Sequence, residues 1–311
     1  MDTVAVVLEQ PGKLALRTVT LQEATAGDIV VDAAWTGISS GTERLLWAGR
    51  MPDFPGMGYP LVPGYETVGR VSRGGHGFAE GDLVFVPGAN CFAGLRGLFG
   101  GAAARLVVPA QRAVPLDGIA DDTGILIALA ATAHHAVAAS DTRLPQLIVG
   151  HGILGRLIAR VTLALGGDAP TVWEKQAGRR DGASGYTVIA PEDDQRRDYE
   201  TICDASGTAG LLDTLIPRLA KRGEITLAGF YEEPLSFAFP PAFMREARIR
   251  IAAEFTRPDI ESVRALVTAG RLSLAGLITH RAKAADAEAA YARAFDDPSC
   301  IKMALDWSAF S

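Results

Sequence analysis

The most specific chemical signal in this 311-residue sequence is a glycine motif near its middle. Gly150, Gly152 and Gly155 match the pattern G-x-G-x-x-G, between the apolar segment 146–149 and a helical pattern. In that context the glycines allow a tight turn, close approach of the backbone to a pyrophosphate, and close packing of helix on strand. The helix N-terminus then faces the phosphates with its positive end. We therefore predict a cofactor-binding loop that comprises Gly150, His151, Gly152, Ile153, Leu154 and Gly155.

An acidic residue follows this motif at the distance expected for a ribose ligand. Glu174 lies nineteen residues after Gly155, at the end of the next predicted strand, where a carboxylate binds the ribose 2′-hydroxyl of a dinucleotide. A solvated acid at a strand end is the alternative. Arg179 and Arg180 complicate the choice, because a nearby arginine can pair with the 2′-phosphate of NADP. Since Glu174 repels that phosphate, the sequence favours NAD.

The pattern of predicted elements indicates an α/β fold with two different domains. Short apolar runs before residue 115 predict a compact β-rich domain with one helix near 43–48. After residue 121, strands alternate with helices, which predicts a doubly wound parallel sheet. We place the domains at 1–120, 121–275 and 276–311, the last being a return to the first. The segments assigned to the second domain and the return are strands at 146–150, 171–174, 187–189, 201–205, 224–229 and 301–305, and helices at 124–139, 154–165, 209–220, 258–269 and 284–295.

Composition excludes several classes of function. Thirty Lys and Arg residues against 36 Asp and Glu residues give a net charge of −6 without a basic stripe, so a nucleic-acid partner is not expected. Cys91, Cys203 and Cys300 are too far apart to form a metal-ligand pair or a disulfide framework, which fits a reducing compartment. The longest weakly polar stretch, 124–139, is too short to span a bilayer. We expect a cytoplasmic protein, with peripheral attachment to a membrane left open.

The order of motifs resembles the medium-chain dehydrogenase/reductase family, which has a GroES-like β domain, a Rossmann domain and a short C-terminal return. Segment 36–43 resembles the loop of the first zinc ligand, with Ser39 in place of cysteine. Segment 63–71 resembles the stretch of the second ligand, with Tyr65 in place of histidine, and Ala128 stands where the third ligand is expected. The four-cysteine structural lobe is also missing. The resemblance therefore implies a dehydrogenase without zinc.

The same resemblance implies roles for particular residues. Tyr65 could face the substrate with its hydroxyl, although an aromatic side chain that fills the vacated metal volume is the alternative. Thr42 lies near the family's relay hydroxyl, and Ser39 and Glu66 are further catalytic candidates; Glu66 could instead be structural and tied to a basic side chain. On the cofactor side, the resemblance adds Thr132 beneath the nicotinamide and Ser206.

The continuous run 37–66 resembles one branch of that family, the hydroxyethyl bacteriochlorophyllide dehydrogenases. This resemblance implies NAD-dependent oxidation of a 1-hydroxyethyl group on ring A of a (bacterio)chlorophyllide to an acetyl group. The substrate would be a flat magnesium tetrapyrrole with a propionate, which Arg50 could pair. A Pro/Gly-rich loop that packs its own aromatic residues, or a dimer contact, is the alternative for this segment. The substrate-binding candidates are Trp47, Arg50, Met51, Phe54, Tyr59 and His134.

The histidines leave further choices open. His134 and His135 are adjacent on a predicted helix, and adjacent helical residues point about 100° apart, so at most one is expected to face the cleft. A buried, hydrogen-bonded histidine is the alternative for each. His151 is expected to touch a cofactor phosphate or to pack.

Two other functions remain compatible with the sequence. A zinc-free quinone or enone reductase has the same fold and would prefer NADPH, against which Glu174 argues. A non-catalytic dinucleotide-binding relative would also lack zinc ligands. A protein that had lost its activity would not, however, be expected to preserve the glycine motif. Segment 236–254 could supply a strand for a homodimer.

Overall fold

The chain forms two compact units, seen in a computed structural model that describes residues 1–53, 55–96, 98–119, 122–138 and 143–310. The first unit consists of residues 1–128 and 274–311, and the second of residues 129–273. The divisions therefore lie after residues 128 and 273, whereas the sequence placed them after 120 and 275. Within the described residues, no helix has the length and apolar character needed to cross a membrane.

The strands range in length from the two residues of β7 to the eleven residues of β3. In chain order they are β1 (Asp2–Gln10), β2 (Lys13–Thr20), β3 (Asp28–Ile38), β4 (Thr67–Arg73), β5 (Leu83–Val86), β6 (Arg105–Pro109), β7 (Val114–Pro115), β8 (Leu147–Val149), β9 (Thr171–Trp173), β10 (Thr187–Ile189), β11 (Tyr199–Asp204), β12 (Leu219–Leu227), β13 (Arg248–Ile251), β14 (His280–Lys283) and β15 (Met303–Asp306). The helices are α1 (Thr42–Ala48), α2 (Ile127–Val137), α3 (Ile153–Ala164), α4 (Leu212–Leu215), α5 (Phe239–Arg245), α6 (Arg257–Thr268) and α7 (Ala287–Asp296).

The first unit is built on a seven-stranded sheet with the order β14-β15-β3-β4-β5-β7, in which β6 also pairs with β3. Strand β3 is central, because β15, β4 and β6 all pair with it in antiparallel fashion. The C-terminal return thus adds β14, β15 and α7 to the N-terminal domain. Helix α7 brings Tyr291 and Phe295, both buried, into the same core as the end of β3.

The second unit contains a six-stranded parallel sheet with the order β10-β9-β8-β11-β12-β13. Counted from β8 as the first strand, this is the order 3-2-1-4-5-6 of a Rossmann fold, which confirms the predicted α/β class. In such sheets the dinucleotide binds where the order reverses, at the carboxyl ends of the first and fourth strands. Here these strands are β8 and β11, so the glycine loop and the segment after Asp204 flank that point.

Two of the predicted segments have a different structure from the one expected. The helix predicted for 209–220 is wrong: only α4 forms, between two 3-10 turns, and β12 begins at Leu219. Pro217 explains this, since proline has no N–H to continue a helix. The strand suggested within 236–254 is confined to β13, and α5 precedes it. The predicted helix 154–165 is confirmed within one residue by α3.

Candidate functional site

In the first unit, a buried carboxylate organises the loop at the end of β3. The Ser39 backbone N–H donates a 2.9 Å hydrogen bond to Glu43 Oε1, and the Tyr291 hydroxyl donates a 2.7 Å hydrogen bond to Glu43 Oε2. Glu43 has no exposed surface. Burial raises its pKa to about 7, and the two hydrogen bonds only partly oppose this rise. Glu43 thereby fixes the backbone from which the Ser39 side chain projects.

The hydroxyl of Tyr65 donates a 2.7 Å hydrogen bond to Ser39 Oγ. The half-buried ring also packs against Phe99, with 5.4 Å between the ring centroids. Burial raises the pKa of Tyr65 above its usual value, and the nearby Glu66 carboxylate raises it further, whereas hydrogen bonds to Ser39 and Thr42 lower it. Tyr65 therefore keeps its proton near neutral pH. The structure thus brings three predicted catalytic residues, Ser39, Thr42 and Tyr65, into one hydroxyl cluster.

The fourth candidate, Glu66, forms a buried ion pair with Lys302. Glu66 is 1% exposed and Lys302 is 2% exposed, so both residues are almost completely inaccessible to solvent. Burial raises the pKa of Glu66, and Lys302 opposes this rise. A Cβ at position 37 would collide with the Glu66 carboxylate, which explains why β3 carries Gly37 there. The geometry matches the alternative of a carboxylate tied to a basic side chain.

The three positions that resemble zinc-ligand positions have a different character in the structure. Ser39 and Tyr65 are hydrogen-bonded to each other, and Ala128 is a fully buried core residue. Among the described residues, no group of three or more His, Cys, Asp or Glu side chains is arranged to hold a metal ion. The three cysteines are all buried thiols.

The predicted substrate segment largely contacts its own unit. The Trp47 ring lies 6.4 Å from that of Phe295, Met51 is 8% exposed within the core, and the Tyr59 hydroxyl donates to the Leu46 carbonyl oxygen. Arg50 is exposed. Phe54 lies outside the described residues. These contacts fit the alternative of a loop that packs its own aromatic side chains, and they leave Arg50 as the accessible polar candidate of the set.

In the second unit, the glycine loop has the geometry that its motif predicts. Gly150 adopts a positive φ of 96°, and a Cβ on Gly155 would collide with the Gly150 carbonyl oxygen. Gly152 precedes α3 without a side-chain cap on the helix. A Cβ at Gly150 would lie 3.3 Å from Ser206 Cα, so the segment after β11 lies directly against the loop. The loop therefore offers uncapped N–H groups beside the switch point, which suits a pyrophosphate.

Glu174 lies beside this loop and is held by backbone donors. Its Oε2 accepts a 3.2 Å hydrogen bond from the His151 N–H, and its Oε1 accepts a 2.9 Å bond from the Gln176 N–H. The side chains of Arg179 and Arg180 lie in different places. Arg180 Nε donates to the Glu174 carbonyl oxygen at 2.8 Å, whereas Arg179 Nη2 would lie 3.4 Å from a Cβ on Gly152. Arg179 thus approaches the place expected for a pyrophosphate.

His151 is directed inward although it belongs to the loop. Its ring is fully buried, with Nδ1 2.7 Å from the Arg179 carbonyl oxygen and Nε2 2.9 Å from the Tyr186 hydroxyl. Burial lowers its pKa to about 4, so the ring is neutral near pH 7. The side chain therefore braces the loop from within, in line with the packing alternative.

The adjacent histidines of α2 converge on one carboxylate. Asp259 Oδ1 lies 2.8 Å from His134 Nδ1, and Asp259 Oδ2 lies 2.9 Å from His135 Nδ1. Sequence reasoning missed Asp259, although Thr256 and Asp259 form a capping box that the T-x-x-D spacing signals. It also missed Glu43 and Tyr291, which no local pattern connects.

Comparison with known proteins agrees with this architecture. Residues 25–118 match the alcohol dehydrogenase GroES-like domain. The chain is 58% identical to the 2-desacetyl-2-hydroxyethyl bacteriochlorophyllide A dehydrogenase of Cereibacter sphaeroides and 57% identical to that of Rhodobacter capsulatus, over 99% of each chain in both pairs.

Solved structures show the same fold at low sequence identity. The acetophenone reductase of Geotrichum candidum, in complex with NAD, superposes with a TM-score of 0.82 at 19% identity, over 98% of this chain and 97% of that one. A putative zinc-binding dehydrogenase of Sinorhizobium meliloti, bound to NADP, also gives 0.82 at 19% identity, over 98% and 99%. From the identity to its full-length relatives and the GroES-like match, the chain belongs to the medium-chain dehydrogenase family, in the branch that contains the bacteriochlorophyllide dehydrogenases.

Proposed function

We propose that this protein oxidises the 1-hydroxyethyl group on ring A of a bacteriochlorophyllide or chlorophyllide to an acetyl group. The electron acceptor is a nicotinamide dinucleotide, and we propose NAD. One observation carries the proposal: Ser39 and Tyr65 form a hydroxyl pair in a chain that resembles bacteriochlorophyllide dehydrogenases along its whole length. The reaction removes a hydride from the carbinol carbon and a proton from its oxygen.

The bound nicotinamide supplies the acceptor for the hydride. The residues that would hold this cofactor are Gly150, Gly152, Ile153, Leu154, Gly155, Glu174, Thr132 and Ser206. Glu174 supports NAD, because its carboxylate lies beside the glycine loop and would repel a 2′-phosphate. Arg179 does not weaken this reasoning, since its guanidinium lies near Gly152 and thus on the pyrophosphate side.

We assign the removal of the proton from the substrate hydroxyl to the hydroxyl cluster of Ser39, Thr42 and Tyr65. Tyr65 is a relay rather than a base, because its raised pKa keeps it protonated. The Ser39 oxygen accepts from Tyr65 and retains a second lone pair, which can accept the hydrogen of a substrate hydroxyl. For this proton to leave, the hydrogen bond between the two residues reverses: Ser39 takes the substrate proton and gives its own hydrogen to the Tyr65 oxygen, while Tyr65 gives its hydrogen to a solvent water. Glu43 keeps Ser39 in place, and Glu66 acts on the cluster through its charge.

Fewer observed contacts support the residues that are predicted to bind the substrate. Arg50, which is exposed, would pair the propionate, and Trp47, Met51, Tyr59, Phe54 and His134 stay predictions as contacts of the ring system. A cytoplasmic location, with or without attachment to photosynthetic membranes, likewise stays a prediction.

We also propose a homodimer formed through the edge of the second unit's sheet. Strand β13 is the edge strand of that sheet, and Ile251 is 76% exposed on it. Large exposed apolar side chains of this kind mark contact surfaces, and an edge strand can pair with its own copy across a twofold axis. The large exposed apolar residues of segment 230–251, which includes β13, are Phe230, Phe237, Phe239, Phe243, Met244, Ile249 and Ile251. Sedimentation of wild type and Ile251→Lys tests it: a dimer that becomes a monomer supports the proposal, and a wild-type monomer contradicts it.

A comparison of substrates distinguishes the proposed activity from its alternatives. Purified protein is mixed with NAD and a hydroxyethyl chlorophyllide, and separately with NADPH and a quinone or enone. Formation of NADH together with the absorption change of the acetyl pigment supports the dehydrogenase. Oxidation of NADPH by the quinone alone would establish the reductase, and cofactor binding without turnover of any of these compounds would establish a non-catalytic relative.

A further inference from the structure

Helix α2 exposes a narrow strip in the second unit. Within residues 129–137, every side chain is buried except Thr132, His134 and His135. Residues three apart are neighbours on one face of a helix, so Thr132 and His135 lie one above the other. Thr132 is one of the residues that would hold the cofactor in the proposed function. A histidine therefore lies on the same accessible face, one turn farther along.

The orientation of both imidazoles is set by Asp259. This carboxylate, 7% exposed as a residue, also accepts hydrogen bonds from the Thr256 backbone N–H at 2.8 Å and from Thr256 Oγ1 at 2.6 Å. Burial alone would raise the pKa of Asp259, but the hydrogen bonds from Thr256 and the two histidines lower it to about 2. The group is thus a carboxylate at neutral pH and can only accept hydrogen bonds.

The protonation of the rings follows from this. Because Asp259 only accepts, Nδ1 of each histidine must be the donor, and Nε2 of a neutral ring then carries the lone pair. Metal-ligating imidazoles usually donate from their other nitrogen to a carboxylate in this way, since the carboxylate fixes the orientation of the ring. The His135 side chain is 33% exposed and that of His134 only 13%. Of the two, His135 is the one available to a ligand.

We propose that His135 Nε2 is the axial ligand of the central magnesium of the tetrapyrrole substrate. Four ring nitrogens hold that metal in the plane, and a fifth, axial position accepts a nitrogen or oxygen donor. Asp259 is a positioning residue, because its Oδ2 holds the His135 ring through Nδ1. This inference rests on the proposed function, because it takes a magnesium tetrapyrrole as the substrate. Coordination would position the pigment on the face of α2 that carries Thr132, without any covalent change.

A binding titration tests the assignment without relying on turnover. Hydroxyethyl chlorophyllide and its magnesium-free counterpart are titrated into the protein, and the pigment absorption is followed. The informative variant is His135→Asn, because the asparagine amide can still donate to Asp259 but has no atom at the position of Nε2. His134→Asn is the matched control on the same carboxylate.

We expect the wild type to bind the magnesium pigment about tenfold more tightly than the magnesium-free one, or about 1.4 kcal/mol. His135→Asn should abolish that preference while leaving the affinity for the magnesium-free pigment unchanged, and added imidazole should restore the absorption of the ligated pigment. His134→Asn should keep the preference.

Two outcomes would overturn the assignment: equal wild-type affinity for both pigments, or a preference that survives in His135→Asn. If the wild type oxidises the pigment with NAD but shows no preference, only the axial ligand is refuted. If it neither binds nor oxidises either pigment, the proposed function is refuted as well.

Discussion

The Tyr65 hydroxyl lies 2.7 Å from Ser39 Oγ and donates a hydrogen bond to it. The two residues stand twenty-six positions apart in the chain and occupy places that resemble zinc-ligand positions of the family. Two positions that resemble metal-ligand positions thus carry a pair of hydrogen-bonded hydroxyls.

Removing either hydroxyl should slow the reaction. If the pair relays the substrate proton, Tyr65→Phe and Ser39→Ala should each lower kcat about ten- to a hundredfold, in the lower range of proton-transfer catalysis. The double variant should be no slower than the slower single one, because residues that act as one unit are not additive. Steady-state rates with the hydroxyethyl pigment provide the measurement. Unchanged turnover in Tyr65→Phe would remove Tyr65 from the mechanism.

Glu43 should make stability depend on pH. Its pKa is about 7 in the folded chain against 4.5 for the free side chain, so the folded state binds the proton more tightly. The free energy of unfolding should therefore fall as the pH rises from about 4.5 to about 7, by about 3 kcal/mol in total. Urea unfolding at several pH values measures this.

The matched control for Glu43→Gln is Glu261→Gln, on the exposed surface of α6. The first substitution should flatten the dependence between pH 4.5 and 7, and the second should leave it intact. The same slope in wild type and Glu43→Gln would show that another group causes it.

The ion pair between Glu66 and Lys302 should be costly to break on one side only. Lys302→Met leaves a buried carboxylate without its cation, which typically destabilises a protein by about 3–5 kcal/mol. Combining it with Glu66→Gln should recover much of that loss, since the buried charge disappears. Denaturant midpoints of the two single variants and the double variant provide the test, and a double variant less stable than Lys302→Met would contradict it.

Glu174 should control the choice of cofactor. Glu174→Ala is expected to weaken NAD binding about tenfold, because the ribose hydroxyl loses its acceptor, while NADP binding is unchanged or improved. Arg180→Ala is the control, since its guanidinium contacts the Glu174 carbonyl oxygen and not the carboxylate. Equal losses for both cofactors, measured by fluorescence titration of the reduced forms, would refute this role.

The sequence predicts those parts of the molecule that short segments determine by themselves. The glycine loop and α3 follow from a local motif with a strand before it and a helix after it. The helix predicted at 209–220 fails for a local reason too, since Pro217 interrupts it. The partners of the buried groups were not predictable in this way.

Glu43 meets Tyr291 across 248 positions of sequence, and His134 meets Asp259 across 125. Such contacts depend on how β15 and α7 return to β3, and on how α6 packs against α2. No periodicity in a single sequence specifies those distances. The inward direction of His151 is likewise a product of packing, since its place in the glycine loop equally suited a phosphate contact.

An isotope experiment follows the hydride and shows whether its transfer requires a protein-bound metal. The enzyme is treated with a chelator and then mixed with NAD and a hydroxyethyl chlorophyllide that carries deuterium on the carbinol carbon. Hydride transfer without such a metal should give one deuterium in each reduced nicotinamide, one acetyl pigment per NADH equivalent, and the same rate as for untreated enzyme. Deuterium released to water, or activity that disappears with the chelator and returns with zinc, would contradict it.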